Sequence, residues 1–201
     1  SFITGGGNGG SGDQGNHKGG QTAQSDGVNP VHLRGGCSGQ PGGGGDSRNI
    51  GPGGGAVYLV SGGSISAGLI NASGGGGSGG LKQSGGSGGG SGGMIVLHAP
   101  AIAVAILLAD GGSGASGGSM DKSGVDGQDA LVVLPIGPAP GGQRMDAGSG
   151  GDGFPAVDNQ LDATGGPDKA GGGGGGGGGG YIRANQALGA AVVFPTLDIV
   201  P

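Results

Sequence analysis

The side chains that could do chemistry are few and scattered. Three histidines, His17, His32 and His98, have no Cys or carboxylate at metal-ligand spacing. His98 falls where an apolar run meets an Ala-Pro turn, which reads as a strand-end residue. Residues 85–89, GGSGG, spell the G-x-S-x-G of a nucleophile elbow. That elbow needs a strand-to-helix turn and a partner His, and a chain so rich in Gly and Ser produces the match by chance. Lys122-Ser123 fails as a phosphate-binding loop because Asp121, not Gly, precedes the lysine. Asp126, Asp129, Asp152, Asp158, Asp162 and Asp168 lie in Gly-rich stretches. Calcium takes several hard oxygens, but neither the EF-hand spacing nor the nonapeptide calcium repeat is present, so turn formation and solubility are the expected roles. A hydrolase could use paired Asp, yet no spacing selects a pair. Cys37 is the single cysteine, which excludes an intrachain disulfide and leaves a small buried side chain, a free thiol or an intermolecular bridge. Asn71-Ala72-Ser73 is a lone glycosylation sequon. The expectation is no catalytic, cofactor or metal site, with calcium the one ion the Asp-rich loops could hold.

Composition says what must carry function instead. Of 201 residues, 64 are Gly and 11 are Pro, while charged residues make up 10% and aromatics 2%. Ordinary domains hold roughly 7% Gly and roughly 25% charged residues. Too few side chains exist for an ordinary enzyme core with a polar site inside it. Eight Lys and Arg against 13 acidic residues give a net charge of −5, which argues against nucleic acid as a partner. Every acidic residue is Asp, and Asp and Gly favour turns over helices, so essentially no α-helix is expected. Such content in unclustered form would mean disorder. Here the apolar residues cluster.

The clusters repeat. Residues 53–75 read GGGAVYLVSGGSISAGLINASGG and residues 92–112 read GGMIVLHAPAIAVAILLADGG. Val57, Leu59, Ile65 and Ala72 match Ile95, Leu97, Ile102 and Ala109, with one gap at the central turn. A third copy follows the decaglycine tract, with Ile182 and Leu188 where Ile95 and Ile102 fall. Residues 1–7 resemble the tail of a further copy. Each unit reads as an alternating strand, a tight turn (Gly62-Gly63 or Pro100), a second strand and a long Gly-rich excursion. The units run over about 53–93, 94–178 and 179–201 of a single domain, 1–201. The apolar run 94–109 is 16 residues long and broken by His98 and Pro100. A membrane-spanning helix needs about 20 apolar residues, so the run reads as a buried strand pair.

The excursions cover about 5–55, 73–93 and 110–180, longer than compact domains tolerate without structure of their own. Glycine-rich chain can form an extended helix of three residues per turn, and without Cβ atoms such helices can lie side by side, joined by N–H···O bonds. The predicted fold is all-β: repeated short strand pairs, β-helix- or sandwich-like, with the excursions as packed polyglycine II helices. Collagen is excluded, because its period fails at residues 171–180 and in every apolar strand.

The order GGMIVLHAPAIAV, ADGGSG, DGQDA, PAPGG and a decaglycine tract ending in YIR resembles the glycine-rich repeat proteins, secreted or surface-borne, of myxobacteria and related deltaproteobacteria. The resemblance covers about residues 50–190 and implies extracellular placement with a structural or adhesive role. Springtail antifreeze proteins and phage tail-tip adhesins are similar in their glycine-rich bundles but lack the apolar strand repeat. No signal peptide or start Met is visible, so the chain reads as a secreted, mature or trimmed form. The expected function is a non-enzymatic fibre, sheath or surface-layer subunit, or an adhesive segment, that self-associates through strand edges and glycine-helix packing. The alternatives are an ice-binding protein, or a phage or cell-surface adhesin recognising a glycan or receptor through residues 120–168. The four threonines fall at no repeating offset, which speaks against ice binding.

Overall fold

The computed structural model describes residues 2, 5–12, 18–20, 30–44, 49–132, 135–156 and 158–200. Its strands form two parallel sheets, and its single helical element, α1, is one turn, Asp158–Leu161. The first sheet holds β1 (Ala56–Val60), β3 (Met94–His98), β5 (Tyr181–Ala184) and β7 (Leu197–Ile199) in the order β1-β3-β5-β7. The second holds β2 (Ser64–Asn71), β4 (Ala101–Leu108) and β6 (Val192–Phe194) in the order β2-β4-β6. The first two repeats contribute one strand to each sheet and the third adds β7 to the first sheet as well, so successive repeats stack as rungs of a short solenoid.

In the first sheet alternation decides which side chains face inward, since i and i+2 share a face of a strand, while in the second the phase shifts by one between Val104 and Leu107. Ile95, Leu97, Ile182 and Ala184 from the first sheet meet Ile65, Val104 and Leu107 from the second in one buried cluster. Val57, Leu59 and Leu197 pack against it. The register is the one read from the repeats: Val57 pairs with Ile95, Leu59 with Leu97, Ile65 with Ile102, and Ile95 with Ile182. Leu188 packs on the same core, but β6 begins only at Val192. The physical reason is Asn185, whose side chain donates to the Ala99 carbonyl and accepts from the Ala99 N–H, both at 3.1 Å, holding the turn where a ladder would otherwise start.

The glycine excursions form a hydrogen-bonded bundle with a three-residue period. Gly171, Gly174, Gly177 and Gly180 donate to the carbonyls of Gly118, Ala115, Gly112 and Ala109 at 2.7–2.9 Å. Gly86, Gly89 and Gly92 donate to Gly172, Gly175 and Gly178 at 2.9 Å. Gly112, Ala115 and Gly118 donate to Gly90, Ser87 and Ser84 at 2.9–3.0 Å. Residues 84–93, 109–119 and 171–180 are therefore mutual neighbours, and each is buried along its whole length. A helix of three residues per turn points its N–H and C=O groups in six directions, and each central helix has six bonded neighbours.

Nine peripheral segments supply the rest and close around the central three. In order they are residues 49–54, 72–83, 122–130, 139–142, 148–154, 160–166, 2–10, 18–20 and 36–43, each bonded to the centre and, except between 122–130 and 139–142, to the next. Three cylinders in a triangle have nine contacting positions in hexagonal packing, and all nine are filled. The spacing is that of bare backbone. A Cβ placed on Gly174 would lie 2.1 Å from the Ser87 carbonyl oxygen, and one on Gly171 would lie 1.9 Å from that of Ser84.

Bundle and sheets are continuous. Residues 49–54, 84–93 and 171–180 run parallel and lead into β1, β3 and β5, while β2 and β4 return into residues 72–83 and 109–119. The bundle thus presents the strands already in register. Of the residues resembling a further repeat, Ser1, Ile3 and Thr4 lie outside the described residues. Phe2 packs on Met94 and Tyr181, and residues 7–10 join the bundle.

Candidate functional site

The residues singled out for chemistry are not brought together. His17 lies outside the described residues. His32 and His98 line a cleft on the outer face of the first sheet. Among the described residues no three His, Cys, Asp or Glu side chains are grouped to hold a metal ion. Several Asp side chains are spent on backbone instead. Asp126 accepts from the Gly79 N–H at 2.7 Å, Asp129 from Gly76 at 2.9 Å, Asp152 from Gly141 at 2.7 Å and Asp162 from Asn8 at 2.6 Å. They cap lattice positions where a neighbouring helix is missing a carbonyl. The Asn71 side chain likewise accepts from the Ser73 N–H at 2.9 Å. Cys37 is exposed, its backbone N–H held by Ser91 Oγ at 2.8 Å. Residues 85–89 lie inside the bundle as lattice backbone.

Three features escaped the sequence reading. Ser113, Ser116 and Ser119 form a ladder whose hydroxyls take the N–H groups of Gln128, Val125 and Lys122. Their three-residue spacing was the available signal. Asp110 is 1% exposed, where β4 runs into the bundle, and neither carboxylate oxygen has a hydrogen-bond partner among the described residues. Burial pushes its carboxyl from 3.8 to about 8. The Tyr181 hydroxyl donates to Asp198, and its pKa is pushed up to about 12, first by burial and then by that carboxylate.

The candidate site with the most developed geometry is the open end of the solenoid. β1 and β2 are the edge strands of their sheets, five and eight residues long. Their backbone groups bond only to β3 and β4, so the outward N–H and C=O groups of both strands are unpaired among the described residues. Soluble proteins usually protect such edges with charge, proline, bulges or a covering element. Neither AVYLV nor SISAGLIN contains a charged residue or proline. Both pair at one constant offset without a bulge, the β2 ladder skipping only Gly68. Tyr58, Val60 and Leu69 stand exposed on them at 53%, 63% and 46%. At the other end β7 and β6 are likewise edge strands, three residues each.

No family model, curated protein or solved structure matches the chain. Among the described residues no helix is long and apolar enough to cross a membrane.

Proposed function

We propose that the chain is a non-enzymatic structural subunit that self-associates outside the cell, its rungs continued by a second copy across open strand edges. The observation that carries this reading is the unprotected first rung, β1 and β2, with no charge, proline or bulge along either strand. Because every strand pair is parallel, the end bearing β6 and β7 and the end bearing β1 and β2 differ, and pairing them is a head-to-tail contact. Such a contact repeats without closing and builds a filament or sheath. Extracellular placement draws support from the resemblance of the motif order to glycine-rich surface proteins. The outer positions of the bundle carry Gln40, Pro41, Asn49, Asp121 and Lys122, so strand edges offer the smoother contact than glycine helices do.

Tyr58→Lys with Leu69→Lys tests it, since both side chains are exposed and the substitutions leave the core alone. Light scattering and negative-stain electron microscopy at rising concentration should show regular assemblies of the native chain and markedly smaller species for the double variant. A native chain that stays monomeric at high concentration, or a variant that assembles equally well, overturns the reading.

A further inference from the structure

The outer face of the first sheet carries a feature that self-association does not use. A cleft of about 500 Å³ lies there, floored by Val96 and walled by His32, Leu33, Tyr58 and Arg183. The register explains the grouping: Tyr58, Val96 and Arg183 occupy one row across β1, β3 and β5, all pointing away from the core. Residues 30–33 form the far wall.

The protein has 13 Asp and a net charge of −5, yet none of the described residues lining the cleft is an Asp. One Arg and two His line it. Asp198, across the strand pair from Arg183, is engaged by the Tyr181 hydroxyl. The Arg183 guanidinium is half-buried and makes no hydrogen bond or ion pair among the described residues. Its planar fork matches a carboxylate bidentately. An unpaired cation over an apolar floor, beside a half-exposed phenol, has the make-up of a small-ligand site: mostly apolar lining with a few polar groups that fix orientation.

We infer that this cleft binds a small carboxylate-bearing ligand, with Arg183 holding the carboxylate and Tyr58 and Val96 covering its apolar or sugar-ring face. The carboxylate could belong to an acidic sugar or to a short acyl or aromatic acid, and the cleft volume admits either. The site shares Tyr58 with the β1 edge, but Val96 and Arg183 lie on the inner strands β3 and β5, so loss of binding in Arg183→Gln is read apart from assembly.

The test is a titration of the full chain, followed by amide NMR, with glucuronate and hexanoate against the neutral counterparts glucose and hexanamide. At least one acid should give saturable shifts at Tyr58, Val96 and Arg183, at least tenfold more tightly than its neutral counterpart. The better acid identifies the source. Arg183→Gln should weaken binding roughly tenfold or more, as expected for loss of a charge-assisted pair, and Arg183→Lys should restore part of it. If neither acid saturates, if the neutral compounds bind equally, or if the shifts map elsewhere, the inference is overturned. Should Arg183→Gln fail to fold, the acid-against-neutral comparison on the native chain decides alone.

Discussion

Replacing Gly174 by Ala puts the glycine lattice to its hardest test. The new Cβ would lie 2.1 Å from the Ser87 oxygen and 2.4 Å from its carbonyl carbon, with the Gly88 nitrogen at 2.8 Å. All three are backbone atoms of another central helix, so no side chain can swing away. Restoring ordinary contact requires a displacement of about 1.3 Å. Gly174 donates to Ala115 at 2.8 Å, accepts from Gly151 at 3.0 Å, and lies beside the bond from Gly89 to Gly175 at 2.9 Å. A shift of that size carries such bonds beyond hydrogen-bonding range. Three buried bonds left unmade cost about 3–9 kcal/mol, more than the ~1–3 kcal/mol of simple overpacking. For a chain of this length, even the low end lowers the melting temperature by roughly 6–12 °C. Gly68→Ala is the control: it sits in β2, where an added Cβ meets nothing within 4 Å. There Ala should stabilise by about 0.5–1 kcal/mol, because Gly in a strand loses more entropy on folding. Calorimetry of both variants decides the matter. Equal melting temperatures, or a Gly174→Ala protein within ~2 °C of the native one, would refute the packing argument.

Three further outcomes are expected. Asp110 has its carboxyl raised from 3.8 to about 8, so above pH 3.8 the unfolded chain ionises while the folded chain keeps its proton. The Asp110 contribution to stability should therefore be full below pH 4 and fall up to about pH 8, by about 4 kcal/mol at pH 7, and Asp110→Asn should flatten the urea-midpoint profile over that window. Ser116→Ala removes the acceptor 2.7 Å from the Val125 N–H, and should cost about 1–2 kcal/mol while speeding hydrogen exchange at that amide. Ultraviolet titration should show one of the two tyrosines resisting ionisation until about pH 12, and Tyr181→Phe should remove that late step.

The sheets were legible in the sequence because apolar side chains mark strand periodicity. Val57, Leu59 and Ile65 align with Ile95, Leu97 and Ile102 in the repeats, and the ladders use that register. The bundle was legible only as a kind of structure. Its three-residue period is carried by backbone N–H and C=O groups, and a run such as residues 171–180 carries no side chain to display a phase. Only the serines at 113, 116 and 119 betray it, since their side chains replace lattice partners for residues 122–128. The decaglycine tract is central because neighbours on all sides leave no room for a Cβ, whereas peripheral segments have one free side and a mixed composition. Asp110 could not be told from the other twelve Asp, because nothing in local sequence distinguishes a carboxyl facing the interior from one capping an outer helix. The cleft was equally hidden: His32 and Arg183 are far apart in the chain and meet only through sheet order and the far wall at residues 30–33.

The three central helices have a calorimetric consequence. Their interior is backbone, so unfolding hydrates mostly peptide groups there, and only the small solenoid releases apolar surface. Apolar exposure raises the heat capacity and polar exposure lowers it. The heat-capacity increment on unfolding is therefore small for a chain of this length, and the stability curve is broad and shallow. Hydrophobic cores weaken on cooling. A fold held by lateral hydrogen bonds between bare backbones loses little of its strength in the cold.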